Sequence, residues 1–142
     1  MTSRAVQLQP AVEQAHSRSE DALAEFARQQ QALAAAETQL AELQRYRSEY
    51  ASASGASQSV GALLNRQGFV ERIDQAIVQQ SRDIARLARA VDQTREAWRQ
   101  AHAREAALGS VIEQCLERER LAGDRREQAE IDERMQYRRR PR

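Results

Sequence analysis

The sequence predicts an all-α protein, a two-helix antiparallel coiled-coil hairpin with an overhanging C-terminal helix. A seven-residue apolar repeat runs from Leu63 to Ile112, and a second, thinner repeat runs from Val12 to Tyr50. The composition agrees, because 142 residues with only five Gly, two Pro and 4% aromatics favour long helices over strands. A lone helix cannot bury such a stripe, so each repeat needs the other as its partner.

The first helix is expected over residues 10–51. Pro10 suits the first turn of a helix, where its missing N–H leaves no hydrogen bond unmade. The stripe that follows is rich in Ala, with Phe26, Leu33 and Leu40 as its larger members.

A turn is expected over residues 52–60, where small residues and Ser dominate. The second helix then covers residues 61–136, with Ser59 placed to cap it. Gly68 is expected to loosen the beginning of this helix, because Gly costs about 1 kcal/mol relative to Ala in a helix.

Two helices joined by a short turn pack antiparallel, which fixes a register in which facing residue numbers add up to about 120. This register places Ala22 opposite Trp98 and Phe26 opposite Thr94. Large residues then face small ones, which makes Trp98 a core residue rather than part of a cofactor site.

The register leaves the end of the second helix without a partner. Helix 1 begins near residue 10, so helix 2 is expected to overhang from Val111 to Arg142. This segment keeps an apolar stripe, which predicts contact with another protein or a second copy. It ends in a basic tip that includes Arg134, Arg138, Arg139 and Arg140.

Nothing in the sequence indicates catalysis or a bound cofactor. There is no phosphate-binding loop, and His16 and His102 lack a third metal ligand, so both are expected to be solvated. Cys115 fits a small hydrophobic residue of the seam, the line along which the apolar stripes of the two helices meet. The sequence has no signal-peptide core, no apolar run of membrane-spanning length and a net charge of +1. We therefore expect a soluble, cytoplasmic protein that is not an enzyme.

Two sets of residues on the flank of the seam are the best candidate for a binding surface. Each set steps by four, three and four residues, and the register brings both to the same level beside the turn. They are Gln39, Leu43, Tyr46 and Tyr50 in the first helix and Phe69, Ile73, Ala76 and Gln80 in the second. Three of the six aromatics gather here, which favours a protein interface; sealing of the hairpin is the alternative.

Four parts of the chain resemble the flagellar export protein FliJ family. The stretch from Leu43 to Tyr50 (LQRYRSEY) and the run from Asn65 to Gln80 (NRQGFVERIDQAIVQQ) are similar to the signatures of its two arms. Trp98 and the segment from Glu127 to Glu133 (EQAEIDE) also match. The similarity in length, turn position and helical composition extends over nearly the whole chain.

The resemblance implies a stalk and adaptor of the flagellar type III export apparatus, similar to the central stalk of rotary ATPases. It implies three partners: the export ATPase hexamer, the cytoplasmic domain of the export-gate membrane protein, and export chaperones. In this family the gate-binding patch falls on the two flanking sets, although Gln80 stands where the family pattern has His. The overhang would enter the ATPase ring, where we infer that Arg134, Arg138, Arg139 and Arg140 meet acidic residues.

The sequence leaves three other hypotheses about function open. The equivalent stalk of a virulence-type injectisome shares the architecture but lacks the two signatures. A self-associating structural coiled coil would use the overhang as its own partner, whereas the stalk is expected to be a monomer. RNA binding through the Arg-rich tip is disfavoured because acidic residues directly precede it.

Overall fold

The computed structural model describes residues 3–52 and 59–139. Over these residues the chain forms two α-helices, α1 (Arg4–Ser52) and α2 (Val60–Arg139), and no strand. The fold is an all-α helical hairpin, as predicted. Residues 53–58, which make up most of the expected turn, lie outside the described residues.

Helix α1 begins six residues before the predicted start at residue 10. The hydroxyl of Ser3 accepts a hydrogen bond from the Val6 N–H at 3.1 Å, and the Ser3 carbonyl accepts one from the Gln7 N–H. Ser3 is therefore the N-cap. Pro10 lies in the second turn, where the carbonyl it leaves without a helical donor belongs to the exposed Val6 and can be solvated.

Helix α2 begins at the predicted cap. The hydroxyl of Ser59 accepts a hydrogen bond from the Ala62 N–H at 3.2 Å. The helix continues without interruption through Gly68, so the expected loosening does not occur. No described residue has a positive φ, and a Cβ added at Gly68 would meet no atom within 4 Å.

The close contacts fall into two compact units, and the first comprises Ala22–Trp98. Within it, Gln80 donates a hydrogen bond to the Gln39 side-chain oxygen across the helices, Arg47 pairs with Asp74, and Tyr50 packs on Phe69. These contacts follow the predicted antiparallel register.

Trp98 makes an aromatic contact that the register alone does not predict. The register places Ala22 opposite it, and its ring stacks on that of Phe26, with the centroids 6.5 Å apart and the planes within 7°. Phe26 lies one helical turn nearer the hairpin bend, and the long indole ring reaches across that turn. The guanidinium of Arg95 lies 5.5 Å from the centroid of the Phe26 ring.

The second unit comprises Met1–Asp21 and Arg99–Arg142. The buried side chains of its inter-helix seam are all small, namely Ala5, Ala15, Ser19 and Cys115. Because α1 starts at Arg4, Cys115 is still covered, with 8% of its surface exposed. The overhang thus begins later than the predicted residue 111, and every residue over 124–139 is exposed.

Neither helix, over the residues that are described, contains an apolar stretch that could cross a bilayer.

Candidate functional site

The two flanking sets meet in unit Ala22–Trp98 and form an apolar groove of about 280 Å³. We call this surface the flank groove. Its lining comes from five of the eight predicted residues: Leu43, Tyr46, Tyr50, Phe69 and Ile73. Helical spacing accounts for the groove, because residues three and four apart lie on one face of each helix.

One lining residue of the groove is buried, and its three aromatic rings are partly exposed. Ile73 is only 7% exposed and belongs to the hairpin core, whereas Tyr46 is 46% and Phe69 40% exposed. The rings of Tyr50 and Phe69 lie 4.6 Å apart with their planes 39° from parallel. This contact fixes both rings while leaving their outer surfaces open, so the aromatics join the helices and also offer a surface.

Beyond the groove, farther from the bend, polar side chains join the two helices. The Gln80 amide donates to the Gln39 side-chain oxygen at 3.1 Å and to the Ala36 carbonyl at 3.0 Å. Gln80 is therefore held against α1 and does not line the groove. Gln39 and Ala76 are exposed but do not line the groove.

Two arginines that the sequence analysis missed stand beside the rings. The guanidinium carbon of Arg45 lies 5.6 Å from the Tyr46 centroid, and that of Arg72 lies 5.9 Å from the Phe69 centroid. Both distances are within cation–π range. The spacing in the sequence could have indicated Arg72, which lies three residues from Phe69 and shares its face, but a charged residue falls outside the apolar repeat that predicts the groove.

The opposite flank of the hairpin is closed by an ion pair between helices. Arg47 hydrogen-bonds to both carboxylate oxygens of Asp74. The hydrogen bond to Asp74, followed by its charge, raises the pKa of Arg47 above its ordinary range. The two flanks therefore differ, because one carries an ion pair between the helices and the other carries the open apolar groove.

The predicted ring-contact residues lie at the end of α2. Arg134, Arg138 and Arg139 are exposed, and Arg140 lies outside the described residues. Arg134 and Arg138 border shallow gaps with Ile131, Met135 and Tyr137. These gaps separate side chains of a single helix and cannot enclose a ligand by themselves. The segment therefore presents an exposed helix surface, on which Tyr137 is 82% exposed.

His16 is exposed on the flank, as expected, but it also contacts two carboxylates. Its Nδ1 lies 3.0 Å from a carboxylate oxygen of Glu105 on the other helix, and its Nε2 lies 3.0 Å from Glu20 on its own. The hydrogen bond to Glu105, with added electrostatic contributions from Glu20 and Glu105, raises the pKa of His16. The register could have indicated this contact, because it pairs Ala15 with Glu105. In the described part of the chain, no three His, Cys, Asp or Glu residues are grouped to hold a metal ion.

The comparisons with known proteins point in one direction. No curated protein and no solved structure matches the chain. The family model of the flagellar FliJ protein matches residues 4–142, which includes both arms, the flank groove and the exposed end of α2. With nearly the whole sequence covered by that match, this helical hairpin belongs to the FliJ family of flagellar proteins.

Proposed function

We propose that the protein is a non-enzymatic stalk and adaptor that uses the flank groove to bind the cytoplasmic domain of the export-gate membrane protein. Membership of the FliJ family gives it a general stalk role in flagellar export. The observation that supports gate binding is the groove itself, where Tyr46, Tyr50 and Phe69 present open ring surfaces. Aromatic rings suit the centre of an interface because they bury much area with little loss of side-chain entropy.

The exposed end of α2 supports a second part of the proposal. We infer that this segment enters the central opening of the export ATPase hexamer and promotes assembly and activity of the ring. Its described apolar residues Ile131, Met135 and Tyr137 would pack inside the ring, and Arg134, Arg138 and Arg139 would meet carboxylates. Recycling of export chaperones completes the proposed role. The protein would work in the cytoplasm and reach the inner membrane through these partners.

Gate binding is tested with Tyr46→Ala combined with Phe69→Ala. Both side chains are about half exposed, so their removal should leave helicity and monomeric state nearly intact while weakening binding to the gate domain by at least tenfold. Circular dichroism, sedimentation and calorimetric titration measure the three quantities. Loss of helicity would show instead that these rings serve only the hairpin core.

The ATPase role is tested with the cognate hexameric ATPase and a chain that ends at Gly123. The full chain should have no ATPase activity alone but should stimulate the hexamer, and the shortened chain should not stimulate it. Equal turnover with and without the full chain would contradict the proposal.

The exposed face of α2 also fits a self-associating coiled coil, which is the competing function. Sedimentation of the full chain separates the two. A monomer at low micromolar concentration supports the stalk, whereas a tight dimer that buries Ile131 and Met135 supports the structural coiled coil.

A further inference from the structure

We propose that the flank groove recognises a partner segment with an apolar side chain next to an Asp or Glu, and that Arg72 binds that carboxylate. This inference rests on the proposed gate binding and specifies the chemistry of the bound segment. The distribution of charge around the groove supports this specificity.

The floor of the groove accepts only an apolar group. Its five lining side chains carry no charge, and their only polar side-chain atoms are the hydroxyls of Tyr46 and Tyr50. With Ile73 at the base, a charged group inserted here would lose its water without gaining a counter-ion. The inserted group is therefore an aliphatic or aromatic side chain.

Arg72 supplies the polar part of the site. Its Nε donates to the Gly68 carbonyl at 3.3 Å, which holds the guanidinium beside the Phe69 ring. Arg72 is exposed, and no carboxylate among residues 3–52 and 59–139 forms an ion pair with it. The nearby Arg45 differs, since it has Glu49 at 3.9 Å.

An Arg held in this way is suited to a carboxylate. A planar guanidinium binds a carboxylate with two parallel hydrogen bonds, and such bonds are stronger where water is excluded. Burial of the neighbouring Phe69 by an apolar side chain would remove water from one side of Arg72. The apolar contact and the ion pair would then strengthen each other.

The acidic residues on the α1 side of the groove argue against a nucleic acid as the partner. Aromatic rings beside an Arg could stack a base, but Glu42 and Glu49 are exposed on α1 and directly precede the lining residues Leu43 and Tyr50 in the sequence. These carboxylates repel a chain of phosphates, whereas a single carboxylate can reach Arg72 on the α2 side.

The test compares Arg72→Gln with Arg82→Gln as the matched control. Both arginines are exposed on α2, but Arg82 lies beside Val78 and Gln79, away from the groove. Calorimetric titration with the gate's cytoplasmic domain should show binding about tenfold weaker for Arg72→Gln, equivalent to about 1.4 kcal/mol, and unchanged for Arg82→Gln. The salt dependence of binding should also flatten in Arg72→Gln alone.

The outcomes separate failure of the carboxylate inference from failure of the proposed function. If Tyr46→Ala with Phe69→Ala abolishes binding while Arg72→Gln binds like the natural chain, the groove is the gate site and the carboxylate inference is wrong. If the aromatic variant binds normally, the proposed function fails and the inference fails with it. Displacement of the gate domain by single-stranded RNA would show instead that the groove and Arg72 bind a nucleic acid, which would overturn the inference that Arg72 binds a carboxylate.

Discussion

His16 connects the two helices through a hydrogen bond that responds to pH. Its contact with Glu105 raises the pKa of His16, and the same contact is the main cause of the lowered pKa of Glu105. The raised His pKa means that its contribution is complete below 6.5 and is lost as the pH rises through the folded-state value. The lowered Glu pKa means that its contribution is complete above 4.5 and is lost on further acidification.

The first prediction follows from these two directions. Between the ordinary Glu and His values the bridge is fully charged, so the natural chain should gain thermal stability when the pH is lowered from alkaline values to just below 6.5. His16→Ala should lose much of this gain, and so should Glu105→Gln. Thermal unfolding followed by circular dichroism over a pH series measures it. Identical pH profiles for all three chains would exclude a role for the bridge.

The stacked pair of Phe26 and Trp98 gives a second prediction at the residue scale. Phe26→Ala should lower the free energy of unfolding by about 1–2 kcal/mol, because it removes a ring from the seam and ends an aromatic contact. The sole Trp of the chain makes the change observable, since its fluorescence reports on this site. Urea unfolding followed by Trp98 emission is the measurement. Leu23→Ala, at a more exposed position of the same helix, is the control and should have a smaller effect.

Sequence reasoning succeeded for residues of the seam and less well for those outside it. The contacts of Tyr50 with Phe69 and of Gln39 with Gln80 follow from the heptad positions and one register. The stacking of Trp98 on Phe26 does not, because it depends on side-chain rotamers. Arg72 was missed because its partner is a ring face, which leaves no periodic mark in the sequence.

At the scale of the helix, the glycines of α2 are not required by the backbone. Gly109 lies inside the helix, has no positive φ, and would have no atom within 4 Å of an added Cβ. Glycine's conformational freedom therefore brings a cost here without a steric need for it.

The third prediction is that Gly109→Ala stabilises the protein by about 0.5–1 kcal/mol, since Ala restricts the unfolded chain and favours the helix. Urea unfolding measures the change. Gly123→Ala is a useful companion, because Gly123 has the same open surroundings near the bare end of α2. Destabilisation by Gly109→Ala would mean that this position must bend or admit a partner.

The start of a helix could be predicted where an N-cap residue lies next to a clear apolar repeat. Ser59 was identified because the apolar repeat of α2 begins shortly after it. Ser3 was missed because Pro10 offered a more familiar starting point. The later start of the overhang is a consequence of the same error, since each residue added to α1 covers more of α2.

At the scale of the whole molecule, the core is thin. Six apolar residues and Ser19 are buried among the described residues, and none of their side chains is completely enclosed. A pair of helices covers each seam from one side only, so stability depends on how much of each helix has a partner. The exposed end of α2 then lacks the tertiary packing that stabilises most helices in proteins.

The fourth prediction follows for the free protein and its complex. Trypsin should cut first after Arg125, Arg126 or Arg134, because these residues lie on a helix exposed on every side, and local opening there requires little free energy. Arg86 and Arg89, in the paired part of α2, provide internal controls and should be cut more slowly. Mass spectrometry of a digestion time course measures the order. Addition of the ATPase hexamer should protect the end of α2 selectively; unchanged cleavage there, despite binding, would show that the hexamer holds another part of the chain.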